Sequence, residues 1–346
     1  SMGTKIYFLC PNNNFMSGGV KQIFHQVETL NRNGFEAFVL LQGKSKQKWF
    51  ESNAPIAYSP YLLRTLKYIV ENRKMTLRKL FTLWLLKKKS VTLDEQSILV
   101  IPEIYGDKID QIAPHIKKAI FNQNCYYTFN LYSFEKDYQK TPYHQPNVLA
   151  TIVASNDALA YMNYTFPNQK TYKMTLGIDP SVFSYTNKKQ KQICFMPRKL
   201  ADDVRQVILI LKLRDKLKDW KLVPIDNKTE QEVAEVMKQS TFFLSFNHRE
   251  GFGLPPVEAM ACGCYVVGYH GQGGKEYFKP EFSSLVEGGD IIAYVKKVEE
   301  LLSTYEKSPE TILEKGKKAS EFILSHYAMA KEEEDTIKIW NDILNR

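Results

Sequence analysis

Short apolar runs alternate with longer amphipathic stretches along the first half of the chain. The runs are rich in branched side chains, which is typical of strands buried in a parallel sheet. Apolar residues then recur every three or four positions, which predicts a helix over Gly19–Asn31 and another helical stretch from about Asp107. The predicted strands are Lys5–Cys10, Phe35–Leu41, Ile98–Ile101, Lys118–Gln123 and Val148–Ala154. This alternation predicts a doubly wound parallel sheet.

The same alternation begins again after residues 179–191, a polar segment that favours a domain boundary. The predicted strands are Gln192–Met196, Trp220–Ile225, Thr241–Phe246, Cys264–Gly268 and Ser283–Val286. The predicted helices are Asp202–Leu217, Thr229–Gln239 and one that starts at Pro255. We therefore expect an α/β protein with two Rossmann-like doubly wound domains facing across a cleft, residues 1–180 and 181–330. Ligands of such sheets bind beyond the carboxyl ends of the strands.

Composition agrees with this interpretation. A length of 346 residues fits two domains, and 44% hydrophobic with 25% charged residues is typical of a globular protein. No apolar run reaches the roughly 18 residues that a membrane-spanning helix needs. The five cysteines are scattered and lack zinc-ligand spacing, which predicts a reduced, cytoplasmic protein without a metal site.

The positive charge is concentrated in one segment. Residues 64–89 hold nine basic side chains and one acid, so they account for almost all of the net charge of +9. On a helix or helix pair, within an insert at about 58–92, the apolar side chains share one face and most cations lie opposite. Residues 61–89 are therefore predicted to contact an anionic membrane surface peripherally, on its cytoplasmic side. The alternative is that the apolar face packs on the first domain. Nucleic acid is not an expected partner, because charge alone is nonspecific and no nucleic-acid-binding fold is recognised.

Residues 247–264 hold the most informative pattern in the chain. Glu250 and Glu258 lie eight positions apart, and a glycine-rich turn, Gly251–Leu254, lies between them with two prolines. A predicted strand precedes the turn and a predicted helix follows it. Backbone N–H groups at a helix N-terminus favour anions. The arrangement predicts a binding site for a polyhydroxy ligand that carries phosphate.

Four further positions are candidates because each follows a predicted strand or adjoins the turn. They are Gly18-Gly19, Gln123-Asn124, Arg198-Lys199 and His248. Glycines permit close approach of a phosphate, and Arg and Lys neutralise one. Each also has a plain structural interpretation: a turn, a polar loop or a solvated cation pair. The three spaced glycines of the dinucleotide fingerprint and the Walker A motif are both lacking.

Together these residues resemble a known family. Glu250-x7-Glu258 is similar to the E-x7-E signature of retaining glycosyltransferases with the GT-B fold, family 4 of the glycosyltransferases (glycosyl transferases group 1). Gly18-Gly19-Val20 resembles the family's first glycine loop, Gly177-Ile178-Asp179 its interdomain segment, and Met196–Lys199 its diphosphate-binding strand end. The glycine-rich loop at 271–276 resembles a loop near the donor sugar, although its glycines also suit a plain turn. The resemblance covers most of the chain except roughly residues 43–96.

The resemblance implies a role for each residue. Glu258 would bind the ribose of a nucleotide, and Glu250 the hydroxyls of the donor sugar. The backbone N–H groups of Phe252, Gly253 and Leu254 would approach the sugar and phosphate. Arg198 and Lys199 would neutralise the diphosphate, but they are adjacent here, whereas many members space them about five residues apart. Gly18 and Gly19 would help to bind the donor. Gln123, Asn124 and His248 are candidates to hold the acceptor or sugar because of their positions, at the end of a first-domain strand and beside the signature, and not because of the resemblance. No metal or other cofactor is implied.

The implied activity is transfer of a hexosyl or deoxyhexosyl group, with retention, from a nucleoside-diphosphate-sugar to a glycan or lipid-linked acceptor in surface polysaccharide or glycan synthesis. The first domain would hold the acceptor and the second the donor, and a last helix within 331–346 would return to the first domain. Two alternatives stay open. One is a GT-B nucleotide-sugar epimerase, and the other is a non-catalytic sugar-binding or membrane-docking subunit.

Overall fold

The computed structural model describes residues 3–11, 18–44, 51–137 and 140–345. The chain forms two compact units. The first unit takes residues 1–154, 158–174 and 333–346, and the second takes residues 155–157 and 175–332. The boundary expected after residue 180 therefore lies a few residues inside the second unit.

The first unit is built on a seven-stranded sheet in which every strand is parallel to its neighbours. Its strands are β1 (Lys5–Leu9), β2 (Glu36–Leu41), β3 (Ile56–Tyr58), β4 (Ile98–Pro102), β5 (Lys117–Phe121), β6 (Val148–Val153) and β7 (Thr171–Lys173). They lie in the order β3-β2-β1-β4-β5-β6-β7. The helices are α1 (Gly18–Arg32), α2 (Pro60–Val70), α3 (Leu77–Lys88) and α4 (Asn156–Thr165), the last of which begins in the second unit. The direction of winding reverses between β1 and β4.

Two short strands and one helix were not expected in this unit. β3 and β7 are three-residue edge strands, too short to show a pattern, and α4 follows β6. The helix expected from Asp107 is instead a 3-10 segment, Glu103–Gln111, which is interrupted at Gly106. Gly106 has φ 50° and ψ −125°, and its backbone packs so closely that a Cβ would lie 1.5 Å from the Asn130 carbonyl oxygen. Tertiary contact therefore prevents a regular α-helix there.

The basic segment forms a helix pair, not one continuous apolar face. Ser59 caps α2 through its hydroxyl, which accepts the Leu62 N–H at 3.1 Å. α2 buries Leu62, Leu63 and Leu66 in the core of the first unit. The apolar face of α2 therefore packs on the first domain, which is the alternative to membrane contact given above. α3 buries only Leu83, so most of its apolar side chains remain exposed.

The second unit contains a five-stranded parallel sheet in the order β12-β11-β10-β8-β9. Its strands are β8 (Gln190–Phe195), β9 (Lys221–Pro224), β10 (Ser240–Glu250), β11 (Tyr265–Gln272) and β12 (Ser283–Leu285). Its helices are α5 (Ala201–Leu213), α6 (Glu230–Gln239), α7 (Leu254–Ala261), α8 (Ile291–Lys307) and α9 (Pro309–His326). The chain runs outward from β8 to β9 and then returns to β10 on the other side of β8. The carboxyl ends of β8 and β10 therefore flank the point where strand order reverses, which is where ligands of such sheets bind. The prediction of two doubly wound α/β domains is confirmed.

The last helix, α10 (Met329–Ile343), leaves the second unit and enters the first at residue 333. Trp340 is fully buried, and its ring lies 6.0 Å from that of Phe8 on β1. The Gln26 side-chain amide donates to the Thr336 hydroxyl at 3.1 Å. Burial of a large indole against the central strand explains why residues 333–346 belong to the first unit. Within the described residues, no helix is long and apolar enough to cross a membrane.

Candidate active site

The turn between β10 and α7 begins with a bulge. Asn247 pairs with His270 and Glu250 with Gln272, so β10 has one more residue than β11 between these pairs. Within the bulge, Arg249 has a φ of 48°, a left-handed value that few side chains adopt. Bulges often redirect side chains beside functional sites. This one sets the direction of Glu250 at the end of β10.

Glu250 meets one of the two predicted cations. Lys199 Nζ lies 2.9 Å from Glu250 Oε1, and the two side chains are 36% and 26% exposed. Arg198 is 69% exposed, and its Nε lies 2.9 Å from Asp226 Oδ1 instead. Lys199 follows β8 and Glu250 ends β10, so their ion pair lies at the point where strand order reverses. The two adjacent cations therefore diverge, and Lys199 is the one beside the glutamate signature.

The glycine turn packs closely against Asn247 and Tyr277. Gly253 has φ 90°, and a Cβ there would lie 2.5 Å from the Asn247 side-chain nitrogen and 2.8 Å from the Tyr277 hydroxyl. Tyr277 is fully buried. Its hydroxyl lies 3.0 Å from the carbonyl oxygen of Phe252 and 2.8 Å from that of Gly253, close enough to donate to either. Both the conformation and the space at this position require glycine.

These two carbonyls determine where two backbone N–H groups point. In a trans peptide the C=O and N–H bonds point in opposite directions, and the described residues contain no cis peptide. Because the carbonyls of Phe252 and Gly253 face the buried Tyr277, the N–H groups of Gly253 and Leu254 face away from it. Burial raises the pKa of Tyr277 well above its ordinary value, so its hydroxyl keeps its proton. Two outward N–H donors at the start of a helix favour an anionic group.

Helix α7 adds the second glutamate to this region. The two residues after Leu254 are prolines, which lack an N–H, so the first turn offers few other donors. Glu258 lies four residues after Leu254, and residues at this spacing share a helix face. Its side chain is half-buried. Glu258 therefore lies on the same face of α7 as Leu254, the residue whose N–H points outward.

Aromatic side chains pack against Phe252, which lies within the glycine turn. The Phe252 ring lies 5.3 Å from the Tyr277 ring and 5.2 Å from the Tyr327 ring. Glu276 accepts hydrogen bonds from the Tyr327 hydroxyl at 2.8 Å and from the backbone N–H of Asn156 at 2.6 Å. Sequence reasoning missed this support, because the residues involved lie far apart along the chain.

The glycine-rich loop at 271–276 has a packing role of its own. A Cβ at Gly273 would lie 2.3 Å from the carbonyl oxygen of Gly251 in the neighbouring turn. Gly273 therefore needs to be glycine for close contact with the neighbouring turn.

In the first unit, the structure brings Gly19 together with Gln123. Gln123 Nε2 donates to the carbonyl oxygen of Gly19 at 2.9 Å. Gly18 and Gly19 open α1, and residues 12–17 before them lie outside the described residues. The side chain of Asn124 accepts the backbone N–H of Tyr126 at 3.0 Å. These residues follow β1 and β5, so they gather at the carboxyl edge of the first sheet.

Glu103 is a site residue that sequence reasoning missed. It follows β4, is only 4% exposed, and accepts the backbone N–H of Asn124 at 2.9 Å. Burial raises its pKa to about 7, although hydrogen bonds from backbone N–H groups act in the opposite direction. β1 and β4 flank the point where strand order reverses in the first sheet.

Two histidines lie near the β10 bulge and differ in their surroundings. His248 lies within the bulge and is exposed. His270 is half-buried on β11, and its Nδ1 accepts the backbone N–H of Gln272 at 2.9 Å. Burial, followed by the nearby charge of Lys275, lowers the pKa of His270. Its neutral ring therefore carries the proton on Nε2. Among the described residues, no three His, Cys, Asp or Glu side chains are grouped as metal ligands.

Comparison with known proteins agrees with the arrangement of the second unit. Residues 221–319 match the family described as glycosyl transferases group 1. The chain is 24% identical over 272 residues to a protein of Actinobacillus pleuropneumoniae serotype 7 (strain AP76) named alpha-1,6-glucosyltransferase. That match covers 77% of this chain and 72% of the relative.

Solved structures extend the likeness to nearly the whole chain. A point mutant of S. aureus TarM, in complex with fondaparinux, alpha-GlcNAc-glycerol and UDP, superposes with a TM-score of 0.68 at 12% identity, covering 99% of this chain and 100% of its own. Anabaena HepE in complex with UDP-glucose superposes with a TM-score of 0.64 at 12% identity, covering 98% and 99%. At this level of identity the likeness shows the fold, which is GT-B.

Proposed function

We propose that this chain, whose fold is GT-B and whose residues 221–319 match the glycosyl transferases group 1, transfers a sugar, with retention of configuration, from a nucleoside-diphosphate-sugar to a glycan or lipid-linked acceptor. The observation that carries the proposal is the Lys199–Glu250 pair beside the outward N–H groups of Gly253 and Leu254. These groups lie at the carboxyl ends of β8 and β10, where a phosphorylated ligand binds in such sheets.

The donor's diphosphate is the leaving group. Breaking its bond to the anomeric carbon builds negative charge on the phosphate oxygens. Lys199 supplies a positive charge there, and the N–H groups of Gly253 and Leu254 supply fixed donors. Their direction is set in advance by the buried Tyr277, so little reorganisation accompanies the reaction. Arg198 contributes long-range charge from its position beside Asp226.

The two glutamates position the donor on either side of this group. Glu250 accepts hydrogen bonds from sugar hydroxyls, and its ion pair with Lys199 joins sugar recognition to diphosphate recognition. Glu258 accepts hydrogen bonds from the ribose hydroxyls, one helical turn further along α7. Carboxylates suit both tasks because each oxygen accepts more than one hydroxyl proton.

Retention follows if the acceptor attacks the face from which the diphosphate departs. A phosphate oxygen then takes the acceptor proton as the new bond forms, so no side chain serves as general base. The charge on the diphosphate is met by Lys199 and the backbone N–H groups, in the place that a metal ion would take. Gly18 and Gly19 help to hold the donor from the first unit. Gln123 and Asn124, tied to Gly19 and Glu103, hold the acceptor or sugar, as does His248.

The relatives support a hexosyl donor. The protein of A. pleuropneumoniae is named a glucosyltransferase, and HepE was solved with UDP-glucose. We therefore propose a uridine-diphosphate hexose as the first donor to test, for a glycan made at the cytoplasmic side of a cell envelope.

The first experiment is a thermal-shift screen against UDP-, GDP-, dTDP- and ADP-sugars. A ligand at 100 times its Kd stabilises the native state by about 2.7 kcal/mol, which raises the Tm by several degrees. Glu258→Gln keeps the size of the side chain and should reduce the shift, because a charged acceptor of the ribose hydroxyls is lost. The proposal fails if none of the four nucleotide classes stabilises the wild-type protein.

The second experiment is turnover, with the donor selected by that screen. Nucleoside diphosphate should be released faster when an acceptor glycan is present, and the linkage of the product, read by NMR, should keep the donor's anomeric configuration. Conversion of the donor's sugar to an epimer without any acceptor would favour the epimerase alternative. Glu250→Gln should reduce transfer, and an unchanged rate would remove Glu250 from the site.

A further inference from the structure

Helix α3 presents an apolar stripe to solvent. Leu77, Phe81 and Trp84 are 86%, 58% and 53% exposed, and their spacing of four and three residues aligns them on one side of the helix. Leu80 and Leu85 flank them and are also exposed. At 1.5 Å per residue the stripe is about 10 Å long. Single exposed apolar residues are ordinary, but a contiguous exposed row marks an interaction surface.

The opposite side of α3 is anchored, so the stripe is held in place. Leu83 is buried against the first unit. Lys79 Nζ lies 5.6 Å from the centre of the Tyr68 ring, and Lys87 Nζ lies 5.5 Å from that of Tyr61, both on α2. The Thr76 hydroxyl caps the helix by accepting the Lys79 N–H at 3.2 Å. Turning the stripe inward would expose Leu83 and separate both lysines from the tyrosine rings of α2.

Cations surround the stripe. Lys74 and Arg78 lie near its amino-terminal end, and Lys87, Lys88 and Lys89 lie at its carboxyl-terminal end, all with exposed side chains. Lys88 Nζ lies 3.7 Å from the centre of the Trp84 ring, so one cation stands over the aromatic part of the stripe itself. A tryptophan flanked by lysines on an apolar helix face is the composition of helices that lie in a membrane interface.

We propose that α3 is a docking helix for an anionic lipid surface, with Leu77, Phe81 and Trp84 entering the interface and the surrounding cations meeting lipid headgroups. A second copy of this chain is a poorer occupant of the same face. Pairing the stripe with itself would bring two sets of these cations together, and they would repel. The proposal does not depend on the glycosyl-transfer reaction, so either can fail alone.

The test is flotation of the full chain with vesicles. One set contains about 30% phosphatidylglycerol in phosphatidylcholine and the other phosphatidylcholine alone. We expect binding to the anionic set that weakens as salt is raised, because each cation near the surface contributes about a fivefold factor in affinity that salt screens. Absence of binding to the anionic vesicles overturns the proposal.

Two variants identify the surface. L77S/F81S/W84S removes the stripe, and Leu209→Ser, Leu213→Ser and Ile292→Ser together change three comparably exposed apolar residues in the second unit. The first should lose binding by at least about tenfold, since several apolar side chains no longer leave water, and the second should not. Equal losses, or loss only in the second, would refute the assignment to α3.

Charge reversal has a matched control as well. R78E/K87E/K88E should abolish binding to anionic vesicles, whereas K212E/K216E/K218E makes the same change in net charge at exposed lysines of the second unit and should reduce binding much less. Size-exclusion chromatography of the serine variant tests the other occupant. A shift from dimer to monomer without a change in flotation would assign the face to a second copy and overturn the lipid proposal.

Tryptophan fluorescence reports insertion directly. Entry of Trp84 into the interface should move the emission to shorter wavelength when anionic vesicles are added, and Trp84→Phe should remove that change while keeping most of the binding. Transfer to a water-soluble acceptor should be unchanged in all these variants. An emission spectrum that does not respond to bound vesicles would contradict insertion of the stripe.

Discussion

Lys199 and Arg198 are adjacent in sequence, yet their side chains contact different partners, and this yields the sharpest test of the site. Lys199 pairs with Glu250, while Arg198 turns to Asp226 and is mostly exposed. The perturbation is Lys199→Met, which keeps a similar apolar stem and removes the charge. Arg198→Met is the matched control, because it removes the same charge one residue away.

The expected magnitudes follow from exposure and position. A fixed donor aimed at charge that develops in the transition state is typically worth about 3–4 kcal/mol, so Lys199→Met should lower kcat by about 10²–10³-fold. The ion pair with Glu250 is partly solvated, and such pairs stabilise the fold by about 0–1 kcal/mol. Arg198→Met should cost less than about tenfold in kcat, since solvent screens that charge.

The assay is the initial rate of nucleoside diphosphate release at varied donor concentration, alongside chemical unfolding of each variant. A loss in kcat at nearly unchanged stability is the signature of a group that acts on the leaving diphosphate. The reasoning is refuted if Arg198→Met loses as much kcat as Lys199→Met. It is also refuted if Lys199→Met stays within about threefold of the wild-type kcat.

Three further outcomes are expected. Gly253→Ala should destabilise the fold by about 1–3 kcal/mol in urea unfolding, because φ is 90° there and a Cβ would meet Asn247; unchanged stability would contradict the close packing of the turn. Gly19→Ala should change stability by no more than about 1 kcal/mol, since the nearest atom to a Cβ would be 3.5 Å away on Gln123. If the donor approaches Gly19 closely, calorimetry should show weaker donor binding in this variant. Unaltered binding would remove Gly19 from the donor site. The raised pKa of Glu103 means that the folded state holds its proton more tightly than the unfolded state, whose value is near 4.5, so stability should fall by about 3 kcal/mol as pH rises from 4.5 to about 7. Glu103→Gln cannot titrate, so unfolding curves at both ends of this range should show the loss in the wild type only, and the same slope in the variant would exclude Glu103 as its source.

The regular elements of both sheets were legible in the sequence because buried parallel strands form apolar runs, and the intervening helices repeat every three or four residues. β10, α7 and the glycine turn between them lie where the pattern places them. The short edge strands β3 and β7 were not legible, because three residues carry too little pattern. The helical stretch expected from Asp107 is part of a 3-10 segment, Glu103–Gln111. Its interruption at Gly106 was not legible, because Gly106 packs against the backbone of Asn130, far along the chain.

The candidate site divides in the same way. The sequence named the two glutamates and the two cations as chemically suitable, but it left open which cation served. The structure separates Lys199 from Arg198 through different partners, Glu250 at the end of β10 and Asp226 in the loop after β9. Glu103 went unnoticed, since its importance comes from burial and from the loop that it anchors. For the basic segment, the sequence showed amphipathic helices, and packing decided that α2 faces the core while the α3 stripe faces water.

By itself, then, the sequence determined most of the strands and helices, the two doubly wound domains and the residue types able to hold a phosphorylated sugar, because these depend on local periodicity and on side-chain chemistry. Only the tertiary structure decided the direction of each group. The outward N–H groups of Gly253 and Leu254 owe their direction to a tyrosine more than twenty residues away. Lys199, and not Arg198, pairs with Glu250, whose direction is set by the bulge in β10. Directions of this kind are set by contacts between residues distant in the chain, and such contacts leave no period in the sequence.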